Sequence, residues 1–331
     1  MAFSKSLAFV FPGQGSQHLG MLAELSASYS IVRETFQQAS DALGYDVLNL
    51  SLEGPEELLN KTAYTQPALL TAGVAVYRVL ESLMPIHPAM MAGHSLGEYT
   101  ALVCAGSLDF VDAVRLVSER GQLMQSAVLD GVGAMGAIIG LDNEQVALLC
   151  DEAAQGEVVS PANINAIGQV VVSGHRHAVE RTLVLAKESG AKIAKLIPVS
   201  VPSHCALMKP AAEKFIASLT RTKFRPPNCP LYHNVDVQMH SDPEKIRQVL
   251  AAQLYRPVQW VETIQVFAQK GVRVIFELGP NNVLTGLIKR IDKRIDTLAI
   301  YDEKTLRQAL YSAQSQSEVF DISSANHLDS L

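Results

Sequence analysis

Short continuous apolar runs alternate along this chain with stretches whose apolar positions recur every three or four residues, the pattern of buried strands followed by amphipathic helices. Leu7 to Phe11 is one such run. It breaks at Pro12-Gly13-Gln14-Gly15-Ser16-Gln17, which predicts a strand leading into a glycine-rich loop. Gly54-Pro55 and Thr65-Gln66-Pro67 separate the helical stretches that follow, and the second opens an apolar helix through Leu80. Ala89 to Ala92 reads as the end of a second buried strand. Leu96, Tyr99, Leu102 and Val103 then share one side of a helix that Gly106 stops. Ser107 or Asp109 caps the next helix, which runs to about Val128.

From Ala134 to Pro198 the periodicity predicts strand, helix, strand, strand, helix, strand, the order of a ferredoxin-like unit inserted into the larger fold. Asn163 and Asn165 end its second strand and Gly168 begins the next, so their amides face a cleft or simply satisfy a hairpin. The chain returns through Val199 to Pro202, then Ser203-His204-Cys205 and a helix from about Ala206 to Leu219. Later come a strand from Tyr232 to Val237, a helix from Pro243 to Leu254, a strand from Val272 to Leu278 and a helix from Val283 to Ile291. From about 312 the composition turns polar, which predicts a flexible tail over 312–331. The expected class is α/β, with a large subdomain from 1–128 and 199–311 and a small one from 129–198.

Within this framework Gly93-His94-Ser95-Leu96-Gly97 matches G-x-S-x-G. That pattern alone is a frequent chance match, but an apolar strand before it and a helix after it make it specific. A strand that becomes a helix within two residues is sharply bent, and side chains two before and two after the bend would collide. Glycines at 93 and 97 remove both collisions. The Ser95 hydroxyl then projects at a helix N-terminus, where backbone N–H groups can stabilise a developing negative charge.

The helix after Gly106 carries two arginines of different kinds. Arg115 has Glu119 four residues on, the spacing of a solvated ion pair. Arg120 is flanked at offsets of three and four by Leu116, Val117, Leu123 and Met124, within the apolar stripe. A guanidinium turned inward needs an anion, supplied by a protein carboxylate or by a ligand, unless it snorkels to the surface. His204 stands where a strand is predicted to end, a frequent address for functional groups on an α/β scaffold, although most histidines are structural.

The chain has 331 residues, 48% of them hydrophobic, enough for a sizeable core. Its net charge is -6 and its basic residues never run beyond a pair, so neither nucleic acid nor a membrane surface is expected as a partner. Cys104, Cys150, Cys205 and Cys229 are scattered without a C-x-x-C, which suggests neither zinc nor a disulfide framework and fits the cytoplasm. The apolar run near the N-terminus is too short for a signal peptide. The first glycine loop lacks the third glycine of a dinucleotide fingerprint, since His18 stands in its place.

Ser95 needs a base and an oxyanion hole. His204 is the candidate base, and the N–H of Leu96 and one near Gln14 are candidate donors. An α/β-hydrolase orders its triad as serine, acid, then a late histidine, and here the only late histidine is His327 in the polar tail, which argues against an ordinary esterase. A thioesterase, or a module that binds acyl groups without reacting, remains open from these residues alone.

Phe11-Pro12-Gly13-Gln14-Gly15-Ser16-Gln17, Gly93 to Glu98, Arg120-Gly121, Pro202-Ser203-His204 and Gly279-Pro280 together resemble the malonyl-CoA:acyl carrier protein transacylases of bacterial fatty acid synthesis, over roughly residues 5–302. The resemblance implies an α/β-hydrolase-like subdomain with a ferredoxin-like (βαββαβ) insertion and a gorge between them. It implies malonyl transfer from malonyl-CoA to acyl carrier protein, without metal or redox cofactor. Ser95 would be the nucleophile and His204 the base, oriented by the backbone carbonyl of Gln253. Gln14 and Leu96 would supply the oxyanion donors. Arg120 would bind the malonyl carboxylate, with Gln66, Asn165, Met124 and His94 lining the pocket. One departure is Asn281, where the family has the second glycine of Gly-Pro-Gly.

Overall fold

A computed structural model describes residues 3–199 and 201–325. β1 (Phe3–Phe11) leads through the glycine loop to four helices, α1 (Ala23–Ser28), α2 (Ser30–Leu43), α3 (Val47–Leu52) and α4 (Glu56–Leu59). A long helix α5 (Thr62–Leu83) follows, then β2 (His87–Gly93), α6 (Gly97–Cys104) and α7 (Phe110–Ser126). The stretch from β3 (Gly133–Ile139) continues with α8 (Asn143–Ala154), β4 (Val159–Ala166), β5 (Gln169–His175), α9 (Arg176–Glu188) and β6 (Ile193–Leu196). The chain closes with α10 (Lys209–Arg221), β7 (Leu231–Tyr232), α11 (Pro243–Gln253), α12 (Trp260–Gln269), β8 (Val274–Leu278), α13 (Val283–Ile291), β9 (Asp296–Ile300) and α14 (Glu303–Ala325).

The larger sheet is parallel, in the order β7-β2-β1-β8-β9. Its central strand explains why Leu7 to Phe11 is apolar without interruption: both faces are covered. Leu7, Phe9 and Phe11 join the core beneath α2, α5 and α7, whereas Ala8 and Val10 join Trp260, Ile264, Phe267 and Ile288 of α12 and α13 on the opposite face. The smaller sheet is antiparallel, in the order β4-β5-β3-β6, with α8 and α9 over one face. This is the βαββαβ arrangement the periodicity predicts. Its β4 is tied to the larger unit by the hydrogen bonds Ile164 N–H to Val258 O (2.9 Å) and Val258 N–H to Ala162 O (2.9 Å).

Several local expectations are corrected. α5 begins at Thr62, so Pro67 lies inside the helix rather than at its start, and Gln66 is held rigidly on its second turn. Tyr232 to Val237 is not a strand: β7 ends at Tyr232 and the chain turns, with Val237 at φ 53°. Glu119 does not pair with Arg115. It accepts from Ser218 Oγ (2.5 Å) and faces Arg221 (3.9 Å). The polar stretch expected to be a flexible tail from 312 continues α14 to Ala325, and the rest of it lies outside the described residues. Asn281 sits at φ 69° and its Oδ1 accepts from Asn282 N–H (2.9 Å), so the turn that usually has glycine is kept by one of the few other residues that tolerate it.

Candidate active site

The C-terminal ends of β1, β2 and β8 converge where the strand order reverses direction about β1, the usual place for a site in an open parallel sheet. Here the turn from β2 into α6 carries Ser95 at φ 52°. A Cβ on Gly93 would lie 1.9 Å from the Gly97 carbonyl, and one on Gly97 would lie 2.0 Å from Phe11 O, so the bend exists only with glycine at both places. Leu96 is the N-cap of α6, and its N–H finds no protein acceptor among the described hydrogen bonds. Gly13, next to Gln14, packs so closely on the elbow that its own Cβ would lie 2.4 Å from His94 O. The Gln14 side chain donates to Thr62 Oγ1 (3.3 Å).

His204 lies on the loop before α10, at φ 63°. Its Nε2 is 2.8 Å from Ser95 Oγ and its Nδ1 is 2.7 Å from Gln253 O. A carbonyl accepts only, so Nδ1 carries the proton and Nε2 presents a lone pair to the serine hydroxyl. Burial pushes the imidazole pKa down to about 3, the Arg120 cation adds to the fall, and the bond to Gln253 opposes it in part. The ring is therefore neutral near pH 7, the form that accepts a proton.

Arg120 is 1% exposed. Its Nη1 donates to Gln66 Oε1 (2.9 Å), and its Nη2 donates to Gln253 Oε1 (2.9 Å) and reaches Ser95 Oγ (3.4 Å). Every acceptor is neutral: no carboxylate oxygen contacts the guanidinium among the described residues. Burial lowers its pKa, but an arginine stays a cation. Gln66 also donates to Met124 Sδ (3.6 Å), which closes this side of the pocket. On the opposite side His94 Nε2 meets Asn165 Oδ1 (2.8 Å) across the two sheets, with the His94 ring edge-on to Trp260. Burial lowers the His94 pKa.

The acyl transferase domain family matches residues 8–306. The chain belongs to that family. Among curated relatives, the malonyl CoA-acyl carrier protein transacylase of Escherichia coli K12 is 56% identical over 303 residues, covering 92% of this chain and 98% of that one. The solved malonyl CoA-acyl carrier protein transacylase of Coxiella burnetii superposes with a TM-score of 0.91 at 55% identity, covering 92% of this chain and 96% of that one. A malonyl-transacylase solved in complex with a type II polyketide synthase acyl-carrier protein gives 0.92 at 53% identity over 93% and 99% of the two chains.

In this acyl transferase domain the structure adds three residues that sequence reasoning missed. Asn234 Oδ1 accepts from Ser95 N–H (2.7 Å) while its Nδ2 donates to Gly93 O (2.7 Å), pinning both sides of the elbow. Glu98, fully buried, accepts from His233 Nδ1 (2.7 Å), Asn234 N–H (3.0 Å) and Gln253 Nε2 (2.7 Å). Asn234 and His233 escaped because their stretch reads as a strand. Glu98 had a visible signal: an acidic residue between Leu96, Tyr99 and Leu102 on a helix otherwise apolar.

Proposed function

We propose that this protein moves a malonyl group from malonyl-CoA to the phosphopantetheine thiol of acyl carrier protein through a malonyl ester of Ser95. Ser95 Oγ attacks the thioester carbon as His204 Nε2 takes its proton, and the N–H groups of Leu96 and Gln14 stabilise the oxyanion. The protonated His204 then gives its proton to the CoA sulfur. The carrier thiol attacks the ester, His204 taking and returning the proton in turn. Gln253 O holds the ring in the tautomer this needs, in the place an acid takes in a triad. The names of the relatives support both substrates. As written, the reaction uses no metal or redox cofactor, and four buried free cysteines support a reducing, cytoplasmic setting.

The observation that carries the reading is a buried guanidinium with no carboxylate partner among the described residues, 3.4 Å from the serine hydroxyl. One methylene separates the two carbonyl carbons of a malonyl group, so the cation that holds its acid end must lie within a few ångströms of the nucleophile. Arg120 does. Intact-mass measurement after exposure to equal malonyl-CoA and acetyl-CoA is expected to show the malonyl adduct in the native protein, and a preference lowered about 100-fold in Arg120→Ala. Unchanged preference would mean that the charge serves something else.

A further inference from the structure

Once the proton transfer and the carboxylate clamp are assigned, Glu98 remains without a role, although it is a carboxylate buried completely beside the nucleophile. Arg120 poses the complementary problem. A cation 1% exposed, whose hydrogen-bond partners are two amide oxygens and a hydroxyl and whose guanidinium lies 5.3 Å from the Tyr99 ring centroid, has no anion in direct contact among the described residues.

The side chain of Gln253 joins the two. Its Oε1 accepts from Arg120 Nη2 (2.9 Å), and its Nε2 donates one hydrogen to Glu98 Oε2 (2.7 Å) and the other to Ser95 O (3.0 Å). The reversed amide would turn NH₂ toward a guanidinium and oxygen toward a carboxylate and a carbonyl, so Glu98 settles which end faces Arg120. His233 Nδ1 and Asn234 N–H fill the other positions around the carboxylate. His233 Nε2 has no partner among the described residues, so a second ring proton would be a buried donor without an acceptor. The histidine thus gives Glu98 a hydrogen bond, and the negative charge is left to balance Arg120.

We propose that Glu98 is a positioning residue and the counter-charge of Arg120, held one amide away so that the buried cation is balanced yet open to the acyl carboxylate. A carboxylate in direct contact would occupy the nitrogens that the substrate needs. At one remove it stabilises the empty site and moderates how tightly the acid end of the acyl group is held. This rests on Arg120 binding that acid end.

Glu98→Gln removes the charge and keeps an acceptor for Asn234 N–H and Gln253 Nε2. Its NH₂ faces His233 Nδ1, which moves the ring proton to the unpartnered Nε2, so a loss of stability is expected alongside the loss of charge. Without the counter-charge the pocket binds anions more tightly. Inhibition by free malonate is expected to strengthen about 3- to 10-fold, with a lower KM for malonyl-CoA and a lower kcat for transfer to the carrier. A purely structural residue would lower activity at an unchanged inhibition constant, and an unchanged or weaker malonate inhibition in E98Q overturns the proposal. Malonate inhibition that persists in Arg120→Met would instead defeat the assignment of the clamp. Should E98Q alone show no cooperative thermal melt, the double variant E98Q/R120M decides: a restored melt supports the pairing, and its absence contradicts it.

Discussion

His204 is neutral at and well below neutral pH because folding has made it hard to protonate. Its pKa falls from 6.5 to about 3, first by loss of water and then by the neighbouring guanidinium. A depressed value means that the neutral, proton-accepting form persists as pH falls. The rate of CoA release in a single turnover is therefore expected to stay flat from about pH 8 to about pH 5. A half-loss near 6.5 would contradict this environment. The same shift makes His204 a source of acid lability: the unfolded chain takes up the proton that the folded one refuses, so this contribution to stability is full above 6.5 and is lost as pH falls toward 3. The depressed pKa was not legible in the sequence. The residues there pair His204 with Ser95, and the family resemblance adds the Gln253 carbonyl, but these partners lie 109 and 49 positions away and no spacing reports how deeply the ring is buried.

Among the elements, the β2–α6 elbow is the feature the sequence shows most plainly, because its requirement is local. Two glycines four apart, with apolar residues on either side, leave a serine nowhere else to point. Gly93→Ala should lower stability by about 3 kcal/mol or more and abolish turnover, since the added Cβ meets backbone at 1.9 Å and neither partner is a flexible side chain. A native-like melting temperature with retained activity would contradict the account of the bend. The turn after β7 was illegible for the converse reason. Tyr232 to Val237 alternates like a strand, and what turns it aside at His233 and Asn234 is a carboxylate on α6 more than 130 positions earlier. Arg120 falls between these cases. The helical spacing shows that it faces inward, but only the structure shows that no described residue offers it a direct anion.

For the whole molecule, the β-α-β-β-α-β order of the smaller sheet was readable because each element carries its own period. α12 and β9 were not anticipated: α12 owes its place to packing against β4 and α13, and β9 to pairing with β8 and packing against α13, contacts that periodicity does not report. The two sheets meet around the serine. Asn165 of β4 touches His94 of the elbow, and α11 brings Gln253 to His204 and Arg120, so both units supply residues around Ser95. The proposed reaction reduces to one covalent event at one atom, followed by its discharge to a protein thiol. Peptide mapping by mass spectrometry after a brief exposure to malonyl-CoA should place a malonyl ester on Ser95, and adding phosphopantetheinylated acyl carrier protein should remove it far faster than water does. A malonyl group on another residue, or an ester that water discharges as fast as the carrier, would contradict it.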